Sequence, residues 1–227
     1  MSSKSCDELN KIKLRTIAMM NQLRISAGAS SPYHLSIIIN EKTKSLGWPD
    51  MTESNRLYKY FRGNVRRHPN QILSLLSQIF YNVDNIYWKG PEDLWIVLWG
   101  NPHETSTILK ITAKSSEQST TEDALNKVFM DYLVHGTFSL TSTVAAYRYL
   151  TITDPYGRHG DGHGVGRAFS MYRQLMEILK MDDIKEYLSE LGIYDGVQNE
   201  IVNMEKERIS NRPQWVSPIE CGTVNPA

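Results

Sequence analysis

Cysteine is nearly absent from this chain: Cys6 and Cys221, one near each end, are the only two in 227 residues. Neither stands in a CxxC pair or at a metal-ligand spacing, so a disulfide-stapled domain and a cysteine-based zinc site are excluded, and both read as free thiols in a reducing compartment. Long apolar runs are missing too. No stretch approaches the ~18 residues that a membrane span needs, and the opening MSSKSCDELNKIKLR carries no apolar segment of the secretory kind. The expectation is a soluble, cytoplasmic protein with no membrane partner. Signatures of catalysis are equally scarce: there is no GxSxG, no HExxH and no cysteine near a plausible base. No period of 20 to 50 residues repeats.

Net charge is also lacking, since 25 Lys and Arg balance 25 Asp and Glu. The balance hides a division. Residues 1–69 hold twelve basic residues against five acidic, a net of +7, and the remainder holds 13 against 20, a net of −7. Such asymmetry between halves points to an anion-binding surface on the basic one, with nucleic acid as the usual partner. The excess peaks in SNRLYKYFRGNVRRH at 54–68, where Arg56, Lys59, Arg62, Arg66 and Arg67 stand with no acid among them. On a helix starting near Ser54, the three-residue spacing of Arg56, Lys59 and Arg62 puts them on one face, while Leu57, Tyr60 and Phe61 fall on another. One face is free to meet phosphates and base edges and the other packs. A solvated face with no partner is the bland alternative, and it accounts less well for the sign bias.

Periodicity and turn chemistry predict a mostly α protein in two parts. Residues 1–104 read as a small helical domain, 105–123 as a linker, 124–210 as a second helical domain and 211–227 as a tail. Asp7 caps a first helix with Leu9, Ile12, Ile17, Met20 and Leu23 on its apolar side. Ser31 and Pro32 open a second, stopped by GWPD at 47–50, and Gly63 supplies the left-handed residue that ends the basic helix. A hydrophobic helix over NQILSLLSQIFYNV and a short one in GPEDLWIVLWG follow, with Trp48, Trp88, Trp95 and Trp99 packing the first domain. Ile108, Leu109, Ile111 and Thr112 suggest a short strand, and the Ser- and Thr-rich run after them suggests a linker. Beyond it, helices are expected over 124–135, 139–151, 165–181 and from Asp182 and Asp195 onward. The carboxylates Glu186, Glu190, Glu200, Glu205 and Glu207, with Lys185, Lys206 and Arg208, read there as solvated faces.

The run RLYKYFRGNVRRHP, preceded by PYHLSIIINEKTKSLGW and followed by a hydrophobic helix and GPEDLWIVLWG, resembles the helix-turn-helix domains of phage-repressor type over roughly residues 30–100. In this chain residues 46–51 make a longer connection than the tight turn of that motif. The resemblance implies duplex DNA as partner, a homodimer on paired half-sites and transcriptional regulation, with no cofactor. Asn55 would read a base edge, Arg56, Lys59 and Arg62 would face the groove, Tyr58 would touch the backbone through its hydroxyl, and Arg66, Arg67 and His68 would fasten to phosphates.

Two other readings belong beside this one. The basic strip suits RNA or an acidic protein partner as well as DNA. A metal-dependent enzyme would need the loop DPYGRHGDGHGVGR at 154–167, where His159, Asp161 and His163 alternate as ligands do on an extended segment. That loop lacks GxxxxGK[ST], and its Gly162-x-Gly164 is followed by Arg167 where the dinucleotide fingerprint needs glycine, so it fits neither nucleotide template. A mobile glycine loop explains it as well, and no metal, cofactor or catalytic residue is assigned.

Overall fold

Helices occupy the described residues from end to end, with no strand among them. A computed structural model of the chain describes residues 3–52, 56–114, 119–131, 139–156 and 167–211. None of these helices is long and apolar enough to cross a membrane. The chain groups into two compact units, Met1–Pro91 with Tyr187–Tyr194, and Glu92–Glu186 with Asp195–Ala227.

In the first unit Ser3–Ser26 form α1, starting ahead of Asp7, which lies inside the helix instead of capping it. Its buried side carries Ile12, Thr16, Ala18, Met19, Met20 and Leu23; the Thr16 hydroxyl, which has no access to water, donates to the Ile12 carbonyl at 2.7 Å. Ser31 and Pro32 start α2 (Pro32–Thr43) as their order dictates: the serine hydroxyl accepts from the His34 N–H at 3.1 Å and proline fills a position whose N–H is not needed. A 3₁₀ turn at Lys44–Leu46 and Gly47 at φ +68° end it.

The connection that follows is pinned from α2. Asn40 accepts from the Met51 N–H at 2.9 Å and donates to Asp50, whose carboxylate takes the Thr52 N–H and hydroxyl at 2.7 and 2.6 Å. Met51 is thereby held in the core. Arg56–Phe61 then form α3, Asn70–Leu76 α4 and Val83–Trp88 α5. The helix expected across 70–83 stops at Leu76, and the next begins only at Val83. Asn82 takes a left-handed φ of +66°, and the Ser77 hydroxyl folds back on the Leu73 carbonyl at 2.9 Å, tightening the end of α4. One core joins these helices, running from Met19, Met20 and Leu23 through Leu35, Ile39 and Leu57 to Ile72, Leu76, Val83 and Tyr87.

The second unit is arranged around one helix. Leu94–Trp99 (α6), Pro102–Thr112 (α7), Thr121–Met130 (α8) and Arg167–Lys180 (α10) all pack on Leu140–Thr153 (α9). Every residue of α9 from Leu140 to Tyr147 is buried, and the helix expected over 139–151 is present despite its Thr and Val content. The strand expected at 108–112 lies inside α7 instead. Asn101 and Glu104 cap α7 reciprocally and Pro102 opens it, and that start signal with Ile108 and Leu109 facing the core outweighs β-branched composition. Thr120 and Asp123 cap α8 in the same way. Asp182–Glu190 (α11), whose end belongs to the first unit, and Tyr194–Ser210 (α12) complete the described chain.

Two side chains read as solvated prove to be the most deeply buried charges among the described residues. Glu205 is fully buried and Arg208 nearly so, paired through two bonds of 2.7 and 2.6 Å. The Tyr147 hydroxyl donates to the same carboxylate at 2.9 Å, the Arg208 guanidinium donates to the Pro155 carbonyl at 2.7 Å, and the Tyr156 hydroxyl donates to the Arg208 carbonyl at 2.8 Å. Glu200 is also engaged, accepting from the Trp99 indole at 2.8 Å. Burial and the neighbouring carboxylate push the Tyr147 phenol far above its ordinary range, so its hydroxyl is a donor at neutral pH.

Candidate nucleic-acid interface

Helix α3 is six residues long, and its hold on the unit comes from side chains. Leu57 is 1% exposed and Tyr60 and Phe61 pack against the core beside it. The helix ends in a paired bond pattern: the Gly63 N–H reaches the Tyr60 carbonyl at 3.0 Å and the Asn64 N–H the Lys59 carbonyl at 2.8 Å. Such an ending needs a left-handed residue, and Gly63 supplies it at φ +63°. Glycine is required twice over. A Cβ there would stand 2.9 Å from Ile17 Cδ1 and 3.3 Å from Lys13 Cβ on α1. Gly63 thus seats the end of the basic helix directly on α1.

That seating leaves the cations outward. Lys59, Arg62, Arg66 and Arg67 are exposed, and among the described residues no carboxylate lies within ion-pair distance of any of them. They surround two adjoining depressions, each of about 620 Å³. One is lined by Lys59, Tyr60, residues 64–69, Asn70 and Gln71. The other is lined by Tyr33, Thr52, Tyr58, Lys59, Arg62 and Asn64. Lys59 and Asn64 form the wall common to both, and among the described residues neither lining includes an acid. An anion entering either meets fixed positive charge and no repulsion from within the lining.

His68 takes a different position from the arginines before it. Its Nδ1 lies 2.8 Å from the Tyr87 hydroxyl, its ring sits 4.9 Å from that of Trp88, and its Nε2 is 3.7 Å from Glu8 Oε1. Burial, and then the charge of Arg15, lower its pKa below the ordinary histidine value, with Glu8 acting the other way. Burial likewise pushes the Tyr87 phenol up to about 12, so its hydroxyl stays protonated and is placed to donate to Nδ1. Arg15 also lies over Trp88 at 5.4 Å. His68 therefore faces the depression as a neutral ring at pH 7.

Of the residues picked out by sequence, Tyr58, Lys59, Arg62, Arg66, Arg67 and His68 gather around these depressions. Asn55 and the side chain of Arg56 lie outside the described residues, as does the glycine loop at 157–166 with His159, Asp161 and His163. Among the described residues no group of three His, Cys, Asp or Glu is placed to hold a metal. The sequence reading did not assign several residues of the linings to the site, among them Tyr33 from the first turn of α2, Thr52, Asn64, Asn70 and Gln71. Asn64 was open to discovery, because it follows the capping glycine. Tyr33 stands 25 positions before Tyr58, and only the packing of α2 against α3 brings them to one hollow. Comparison with protein-family models, curated proteins and solved structures returns no match for the chain.

Proposed function

We propose that the first unit binds duplex DNA, with sequence selectivity, through the face formed by Lys59, Arg62, Arg66 and Arg67. The observation that carries this reading is the absence of any ion-paired carboxylate, among the described residues, at four exposed cations around two acid-free hollows. Two other arginines of the chain do carry acid partners, Arg167 on Glu122 and Arg208 on Glu205. Charges left open in a cluster fit a partner that brings the counter-charge, and a phosphate backbone brings one at every nucleotide. Asn64, at the common wall, offers an amide of the kind that reads base edges.

The protein is in this reading a transcriptional regulator working as a homodimer, the acidic second unit providing self-association and the pair addressing two half-sites. Selection from fragmented genomic DNA by the purified protein, followed by sequencing, tests it. A shared motif, two-fold symmetric where the dimer holds, is the expected result. Recovery of fragments with no shared motif would sink the claim of selectivity, and failure to retain DNA at low salt would sink the assignment itself. Lys59→Ala and Arg62→Ala should each weaken binding by about 1 to 3 kcal/mol, with melting temperature unchanged.

A further inference from the structure

The hollow lined by Tyr33, Thr52, Tyr58, Lys59, Arg62 and Asn64 has a composition that phosphate binding alone does not call for. Tyr33 is 53% and Tyr58 40% exposed, whereas the neighbouring Tyr60, Phe61 and Tyr87 are drawn into the core or buried in it. Tyr81 and Trp88 of the same unit are exposed too, but they lie outside this hollow; Tyr33 and Tyr58 are the exposed rings that share a lining with Lys59 and Arg62. A nucleotide carries a flat apolar face and an anion one sugar apart, and this hollow offers rings beside cations at the same scale. Its volume of about 620 Å³ falls within the ~300 to 1,000 Å³ typical of small-ligand sites, far larger than a phosphate needs. The Asn64 amide and the Thr52 hydroxyl add polar groups to the lining; the hydroxyl proton is given to Asp50 at 2.6 Å, which leaves its oxygen as an acceptor.

We infer that this hollow takes an unpaired nucleobase of the bound DNA, stacked against Tyr33 and Tyr58, while its flanking phosphates lie on Lys59 and Arg62. The inference rests on the DNA-binding reading above and narrows it: the preferred substrate is a duplex with an unpaired nucleotide, at an end or a bulge, and not a fully paired one. A stacked base is read through its face, so the preference is tolerant of which base it is.

The test uses the full chain and fluorescence anisotropy with a blunt duplex and the same duplex carrying a short single-stranded extension. The extended duplex should bind about tenfold more tightly, the usual scale of one stacked base. Tyr33→Ala and Tyr58→Ala, both at exposed positions and checked for an unchanged melting temperature, should remove that advantage. Blunt-duplex affinity should stay as it was in Tyr33→Ala, and fall in Tyr58→Ala by no more than in Tyr58→Phe, which loses only the hydroxyl expected to touch the backbone. Tyr58→Phe should retain the advantage of the extended duplex. Lys59→Ala should weaken both duplexes together. Equal affinity for the two duplexes, insensitive to both tyrosine substitutions while Lys59→Ala still weakens them, overturns the base-stacking inference and leaves the DNA-binding reading standing. Failure of both duplexes to bind overturns the two together. A free mononucleotide that competes as well as the extended duplex shows a small-molecule site, and overturns the assignment to DNA.

Discussion

His68 stands in a run of arginines and is nevertheless neutral at pH 7, because its ring gives up water on folding and faces Arg15. The linkage that follows has a definite sign. The folded pKa lies below the unfolded value of about 6.5, so above that pH the group is neutral in both states and costs nothing. As pH falls below about 6.5 the unfolded chain takes up the proton first, and stability declines until the folded ring is protonated as well. NMR titration of the His68 imidazole should give a midpoint under 6.5, and unfolding free energy should fall with acidification in a way that His68→Gln lacks. A midpoint above 6.5 would mean that Glu8, 3.7 Å from Nε2, outweighs burial. The charge run itself was legible from the sequence; the inward turn of its last member was not, since Tyr87 and Trp88 are 19 and 20 positions away.

At the scale of elements, two helix ends meet on one side chain. Gly63 closes α3 and Gly192 closes α11, the latter at φ +71° with the same pair of bonds, Gly192 N–H to Ser189 and Ile193 N–H to Leu188. A Cβ at Gly63 would stand 2.9 Å from Ile17 Cδ1, and one at Gly192 2.9 Å from Ile17 Cγ2. Gly63→Ala and Gly192→Ala should each cost about 1 to 3 kcal/mol from backbone strain and crowding together. Ile17→Val removes Cδ1 and keeps Cγ2. It should therefore soften Gly63→Ala and not Gly192→Ala, a coupling of about 0.5 to 1 kcal/mol that a double-mutant cycle in denaturant would read. Equal coupling to both glycines would rule out this account of the contact. Gly63 was visible in the sequence as a helix terminator; its second duty, against α1, was not, because nothing in local composition says which turn an incoming helix will touch.

Glu205 and Arg208 show the same limit from the other side. An acid and a base three apart on a helix read alike whether they face water or the core, and only the arrival of Tyr147 and the Pro155 carbonyl distinguishes the two. Glu205→Gln leaves Arg208 buried with its counter-charge gone, and should destabilise the second unit by about 3 to 5 kcal/mol. Thermal unfolding would register this as a large fall in melting temperature. A change under about 1 kcal/mol, the range of exposed pairs, would show that the pair is solvated in solution. Capped helix starts fared better: Ser31 with Pro32 was readable directly, whereas the reciprocal cap of Asn101 and Glu104 was overlooked in favour of β-branched composition.

For the whole molecule the basic front and acidic back make a quantitative claim through salt. Each phosphate neutralised in duplex DNA contributes about −0.9 to the slope of log affinity against log salt concentration. Lys59, Arg62, Arg66 and Arg67 are the exposed cations of the described face, and His68 adds no charge at pH 7. If all four meet phosphates, one protomer gives a slope of about −3.6 and a dimer on paired half-sites about −7. Titration of the wild-type protein from low to moderate salt should therefore give about −7, reduced by about 2 when Lys59→Ala removes one contact from each protomer. A slope near −3.6, reduced by only about 1, would show that each DNA site engages a single chain, whatever the second unit does in solution. A slope shallower than about −2, or one that Lys59→Ala leaves unchanged, would place the DNA-binding surface elsewhere.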